Sequence, residues 1–180
     1  VMPWAAALLL LAVVLIAVRV PVREGKTAVE IVRDAVKQYA QNAESKANES
    51  KFEPYIADAE QRNGIPAGLL HRQLYQESRY RSDIIDGRAV SSAGALGIAQ
   101  IVPRWHPGVD PLDPVAAIYY AASEMKKYYT RFGSWKLALA AYNWGQTAQA
   151  RDLADGIAGN EWPEETRRYV AEITADVEVA

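Results

Sequence analysis

Cysteine is absent and histidine nearly so, with only His71 and His106 in a chain of 180 residues. A disulfide framework and a thiol nucleophile are therefore excluded, and two histidines alone leave a zinc site short of its usual ligands. No metal or organic cofactor is expected. The missing thiols fit any compartment. Charge of one sign is also lacking: a formal net charge of −2 and no basic patch leave no electrostatic footprint for a nucleic-acid partner. No stretch alternates apolar and polar residues convincingly over the length of a strand, so the expected fold class is mainly α.

What the sequence has in quantity begins at its first residue. Residues 1–18 carry no charge, and Ala5 to Val18 is nearly all Ala, Leu, Val and Ile. That is the lower limit for crossing a bilayer. A membrane anchor, a signal-peptide core and a buried helix compete for this run. A buried helix fits least, because the run is apolar all round and a polar segment follows at once. A cleavable signal normally has a basic start and a small-residue cleavage site, and neither is present. We read residues 1–22 as a transmembrane anchor. Residues 23–51 are polar, with Val29, Val32, Val36 and Tyr39 on one narrow helical stripe. A helical stalk or oligomerisation helix and a charged linker are both compatible with that pattern.

A chain of 180 residues, half of them hydrophobic, is enough for one domain with its own core, expected at residues 52–180. A helix from Pro54 to Asn63 opens it, and Gly64 and Pro66 end that helix and start another. Asp113 and Pro114 begin the clearest helix, with Val115, Ile118, Ala122, Met125, Tyr129 and Phe132 as its inward stripe and Gly133 as its stop. Ser134 is expected to cap the next helix, Trp135 to about Asn143. A last helix starts near Pro163 and carries Tyr169, Ile173 and Val177 on one face.

Glu77 is the residue around which a chemical reading forms. Leu70, Leu74 and Glu77 fall at i, i+4 and i+7, so the carboxyl shares the stripe of the leucines. Asp83, Asp86 and Gly87 follow, placing Glu77 near a helix C-terminus, where the dipole is negative. Both effects disfavour the ionised form and predict a raised pKa. The plainer alternative is a glutamate that reaches out to solvent. Downstream, Ser91 to Gly97 is a run of small residues that either lines a cleft or forms a turn. Tyr142 and Asn143 lie beside Trp144 and Gly145; a tyrosine there can also simply pack its ring and bond a backbone group.

Four segments in order carry a resemblance. They are Glu77-Ser78; Ser91 with Gly94-Ala95 and Gly97-Ile98-Ala99-Gln100; Ala141-Tyr142-Asn143 followed by Gly145; and Glu165-Thr166 with Tyr169-Val170. Together they make the chain from about Phe52 to Ile173 resemble the catalytic domain of soluble-type (SLT) lytic transglycosylases, a goose-lysozyme-like helical fold. Ala99 departs from the family's usual methionine, and residues 84–90 look like a short insertion at the mouth of the cleft. The resemblance implies that Glu77 is the catalytic acid and that Tyr142 sits beside it and hydrogen-bonds it. It further implies that Ser91, Ala99, Gln100 and Asn143 line a groove and that Glu165 helps hold the site together.

The implied substrate is peptidoglycan glycan strands. Hydrolytic glycosidases typically use two carboxyl groups, and here only Glu77 falls in a motif that puts it at the groove. One carboxyl suffices if the substrate supplies the nucleophile. Glu77 would protonate the oxygen between N-acetylmuramic acid and N-acetylglucosamine. As carboxylate it would then deprotonate the muramic C6 hydroxyl, which closes a 1,6-anhydro ring. A goose-type muramidase and a non-enzymatic peptidoglycan-binding or assembly module remain as alternatives. The expected location is a membrane anchor with the domain facing peptidoglycan in the periplasm. Arg19, Arg23 and Lys26 would by the positive-inside rule hold that end in the cytoplasm. Delivery by another route, for example packaging in a virion and ejection into the envelope, would remove the conflict.

Overall fold

The computed structural model describes residues 27–154 and 158–178. The expected anchor at 1–22 and the first residues of the expected stalk lie outside the described residues. Among the described residues, no helix is long and apolar enough to cross a membrane. The chain divides into two compact units, Val1–Lys46 and Ala47–Ala180.

Helix α1, Ala28–Asn63, merges the expected stalk helix and the expected opening helix into one element. It starts at a reciprocal cap: the Thr27 backbone N–H donates to Glu30 Oε2 at 2.8 Å, and the Glu30 N–H donates to Thr27 Oγ1 at 3.3 Å. In the first unit, Val29, Val36 and Tyr39 are exposed. Pro54 lies inside the helix and removes one i→i−4 bond, without ending it.

The second unit is built from the rest of α1 and six further helices among the described residues: α2 Leu69–Ser78, α3 Ser82–Ile85, α4 Pro114–Phe132, α5 Trp135–Trp144, α6 Gln146–Ala154 and α7 Glu164–Thr174. Helix α5 is the hub. Its small residues Ala138, Ala140 and Ala141 are buried with Leu139, and it packs against α4, α6 and α7. Helix α2 packs against α7. Phe52, Ile56, Leu70, Leu74, Ile118, Met125, Leu139 and Ile173 form part of one continuous core.

Several expectations are corrected by packing. Helix α2 begins at Leu69, not Pro66, because Gly68 sits at φ 83° and Pro66 serves the preceding turn, where its carbonyl accepts from the Leu69 N–H at 3.0 Å. Ser134 makes no side-chain cap. Asp113 does, accepting from the N–H groups of Val115 and Ala116 at 3.0 Å each. The inward face of α4 is rotated from the expected stripe: Ala117, Ala121, Glu124 and Tyr128 are buried with Ile118, Ala122 and Met125. Helices α3 and α6 have no counterpart among the elements expected from the sequence. The segment from Ser91 to Ile101 forms no strand, only an isolated antiparallel bridge between Leu96 and Ile101.

Candidate active site

Helix α2 delivers Glu77 as its penultimate residue. Leu70, Leu74 and Gln73 on the same face are wholly buried, so the face is anchored over its full length. The helix end is sharp: Arg79 takes up φ 52° and its N–H donates to the Tyr75 carbonyl. The other end is tied down by α1. Glu60, itself buried, accepts from the N–H groups of Gly68 and Leu70 at 2.9 Å and of His71 at 3.2 Å. These are donors that a helix start leaves without partners, and Gly68 offers no side chain to take them. Glu77 therefore stands on a helix fixed at both ends.

Glu77 is partly buried. Its carboxyl is pushed up to about 7, chiefly by desolvation, against a lowering hydrogen bond from Tyr169 and with a further raising contribution from the Glu165 charge. The Tyr169 hydroxyl donates to Glu77 Oε1 at 2.5 Å. This corrects the expected pairing. Tyr142 does not bond the acid; its hydroxyl donates to the Ala99 carbonyl at 2.8 Å. Tyr142 nevertheless feels Glu77, whose charge is among the causes that push its hydroxyl well above the usual range, after burial.

The other expected residues separate. Gln100 and Asn143 line a groove of about 670 Å³ together with Tyr142, Trp105 and His106. Asn143 Oδ1 accepts from Thr166 Oγ1 at 2.8 Å, which ties the groove wall to α7. Gln100 sits at φ 48° and its side-chain amide donates to the Gly97 carbonyl at 3.1 Å. Glu77 is not on the wall of this groove; Tyr142 is, and the Glu77 charge reaches its hydroxyl. Ala99 does not line the groove either, being wholly buried, and contributes its carbonyl to Tyr142. Ser91 is not on this wall; its Oγ accepts from the Ala95 N–H at 2.9 Å and shapes the turn. Glu165 is exposed and acts on Glu77 through its charge.

Sequence reasoning missed three groups. Glu124, on the buried face of α4, lines the groove and is held by the Tyr128 hydroxyl at 3.0 Å and Lys127 Nζ at 3.2 Å. His106 also lines it, sharing a 2.7 Å hydrogen bond with the Tyr120 hydroxyl. Trp105 stands 68% exposed at the groove, an aromatic face of the kind that saccharide rings pack on. A signal for Glu124 exists in its spacing, since Lys127 and Tyr128 follow it at i+3 and i+4 on the same helical face. Reading that face as inward requires the true phase of α4, and the apolar residues alone set the phase one position away.

Tested against protein-family models, residues 54–162 match the transglycosylase SLT domain. The match takes in Glu77, the small-residue segment, Tyr142 and the groove, and stops short of Tyr169. Spanning well over half of a mainly helical chain, it makes this protein a member of the transglycosylase SLT family, whose lysozyme-like domains act on peptidoglycan.

Proposed function

We propose that this protein is a peptidoglycan lytic transglycosylase that cleaves the β-1,4 bond between N-acetylmuramic acid and N-acetylglucosamine with formation of 1,6-anhydro-muramic acid. The observation that carries the reading is the state of Glu77. Partly buried and bonded by the Tyr169 hydroxyl, its carboxyl is pushed up to about 7, so near neutral pH the protonated and ionised forms are both populated and the group can give a proton and take one back. In the first step Glu77 protonates the glycosidic oxygen as the bond to C1 breaks. In the second, the Glu77 carboxylate removes the proton of the muramic C6 hydroxyl as that oxygen bonds C1, so the acid returns to its starting form. Tyr169 holds the carboxylate between the steps, and Gln100, Tyr142 and Asn143 belong to the groove that takes the glycan.

Hydrolysis by water has one observation in its favour, a carboxyl besides Glu77, that of Glu124 on the groove wall. That side chain is already engaged by Lys127 and Tyr128, which argues against a free base. Mass spectrometry of digested sacculi decides: anhydro-muropeptides are expected, and reducing muramic ends alone would establish hydrolysis. Residues 1–22, on this reading, are a membrane anchor that presents the domain to peptidoglycan. Deleting them is expected to release the protein from membrane fractions with cleavage intact.

A further inference from the structure

Gln73 is wholly buried, and neither its side-chain nitrogen nor its oxygen has a hydrogen-bond partner. An amide desolvated in this way destabilises the fold, and the neighbouring face positions are leucines that cost nothing of the kind. Its place is informative. It lies one turn before Glu77 on the same face of α2, and α2 packs on α7, which carries Tyr169. The amide is near enough to draw the Tyr169 hydroxyl's pKa down, the one lowering influence among raising ones, yet short of bonding geometry.

The Tyr169 hydroxyl has one proton, and Glu77 Oε1 accepts it. Its oxygen keeps a lone pair for an incoming donor. We infer that Gln73 is a positioning residue for the acid: its side-chain N–H closes onto the Tyr169 oxygen when Glu77 becomes a carboxylate, completing a relay from Gln73 through Tyr169 to Glu77. This rests on the reading of Glu77 as the acid. A phenol that accepts a hydrogen bond donates a stronger one, and a carboxylate gains more from it than a neutral carboxyl does. Gln73 thus favours the form that exists between the two proton transfers. The other titratable groups that bear on Glu77 are Glu165 on α7 and Tyr142 on α5, and neither touches the relay by hydrogen bond.

The test is Gln73→Met in the full chain, which keeps the length of the side chain and removes its polar atoms. Glu77 is read directly by carbon-13 titration of its carboxyl, assigned against Glu77→Gln, alongside the pH profile of cleavage. The relay predicts a Glu77 pKa raised by roughly half a unit or more, a several-fold lower kcat with KM unchanged, and a melting temperature equal or higher, because an unpaired amide is gone. In a Tyr169→Phe background, Gln73→Met should shift the titration no further. An unmoved Glu77 titration overturns the inference, as does an equal shift without the Tyr169 hydroxyl. Loss of folding in Gln73→Met also overturns it, since it would show that the amide is a structural group. Retained cleavage by Glu77→Gln would instead sink the reading of Glu77 as the acid and leave the titration result standing.

Discussion

Glu77 is held in a position that suits its proton and not its charge, and this has consequences for stability as well as rate. Its folded pKa of about 7 lies above the ordinary 4.5, so between those values the native state binds more protons than the unfolded chain. Stability therefore falls as pH rises through that window. Glu77→Gln keeps an acceptor for Tyr169 and removes the charge. It is expected to abolish cleavage while raising the melting temperature at pH 8, with no gain at pH 4; calorimetry at the two pH values checks this. Tyr169→Phe works in the other direction on the acid. Losing the one bond that favours the carboxylate should raise the Glu77 pKa above about 7 and move the alkaline limb of the pH–rate profile upward. A limb that stays in place would show that Tyr169 does not act on Glu77 as proposed. The burial and raised pKa of Glu77 were legible in the sequence, since Leu70, Leu74 and Glu77 share one helical face. Which phenol bonds it was not. Tyr142 and Tyr169 both fall in recognisable motifs, and only the docking of α7 on α2 selects between them.

At the scale of elements, the helix that carries the acid depends on a residue from a different helix. The α2 start has no serine, threonine or aspartate to cap it, and Glu60 of α1 reaches across to take three of its N–H groups. Glu60→Ala leaves those donors, one buried and two partly buried, without that partner and is expected to cost about 2–4 kcal/mol, measured by denaturant unfolding, and to lower cleavage by loosening α2. A loss no larger than that of an exposed helix substitution would show that the cap contributes nothing. The turn beneath the groove is fixed just as firmly. Gly97 sits at φ 74°, where an added Cβ would run into the Pro111 carbonyl oxygen. Local signals in the sequence found the ends of α4, where Asp113, Pro114 and Gly133 act within one turn of the helix. They missed the start of α2, because its cap is eight residues back in the chain and meets it only after folding. They also missed the phase of α4, because two of its buried positions, Glu124 and Tyr128, are polar residues satisfied by each other.

For the second unit as a whole, α7 is the element that joins structure to chemistry. It supplies Tyr169 to Glu77, its Thr166 bonds Asn143 in the groove wall, and it buries Tyr169, Val170 and Ile173 against the core. All of this lies beyond residue 162, where the family match ends. Burying three such side chains contributes about 4.5–9 kcal/mol at 1.5–3 kcal/mol each, comparable with the whole stability of an ordinary domain. Helix α7 is therefore part of the domain and not an appendage. A chain ending at residue 162 is expected to lose its cooperative thermal transition and all cleavage, although it retains Glu77, Gln100, Tyr142 and Asn143. Adding residues 163–178 back as a separate peptide should restore part of both if the helix docks on its own. A truncated chain that melts cooperatively and still releases anhydro-muropeptides would show that neither the core nor the acid needs α7, and that Tyr169 is dispensable to the reaction.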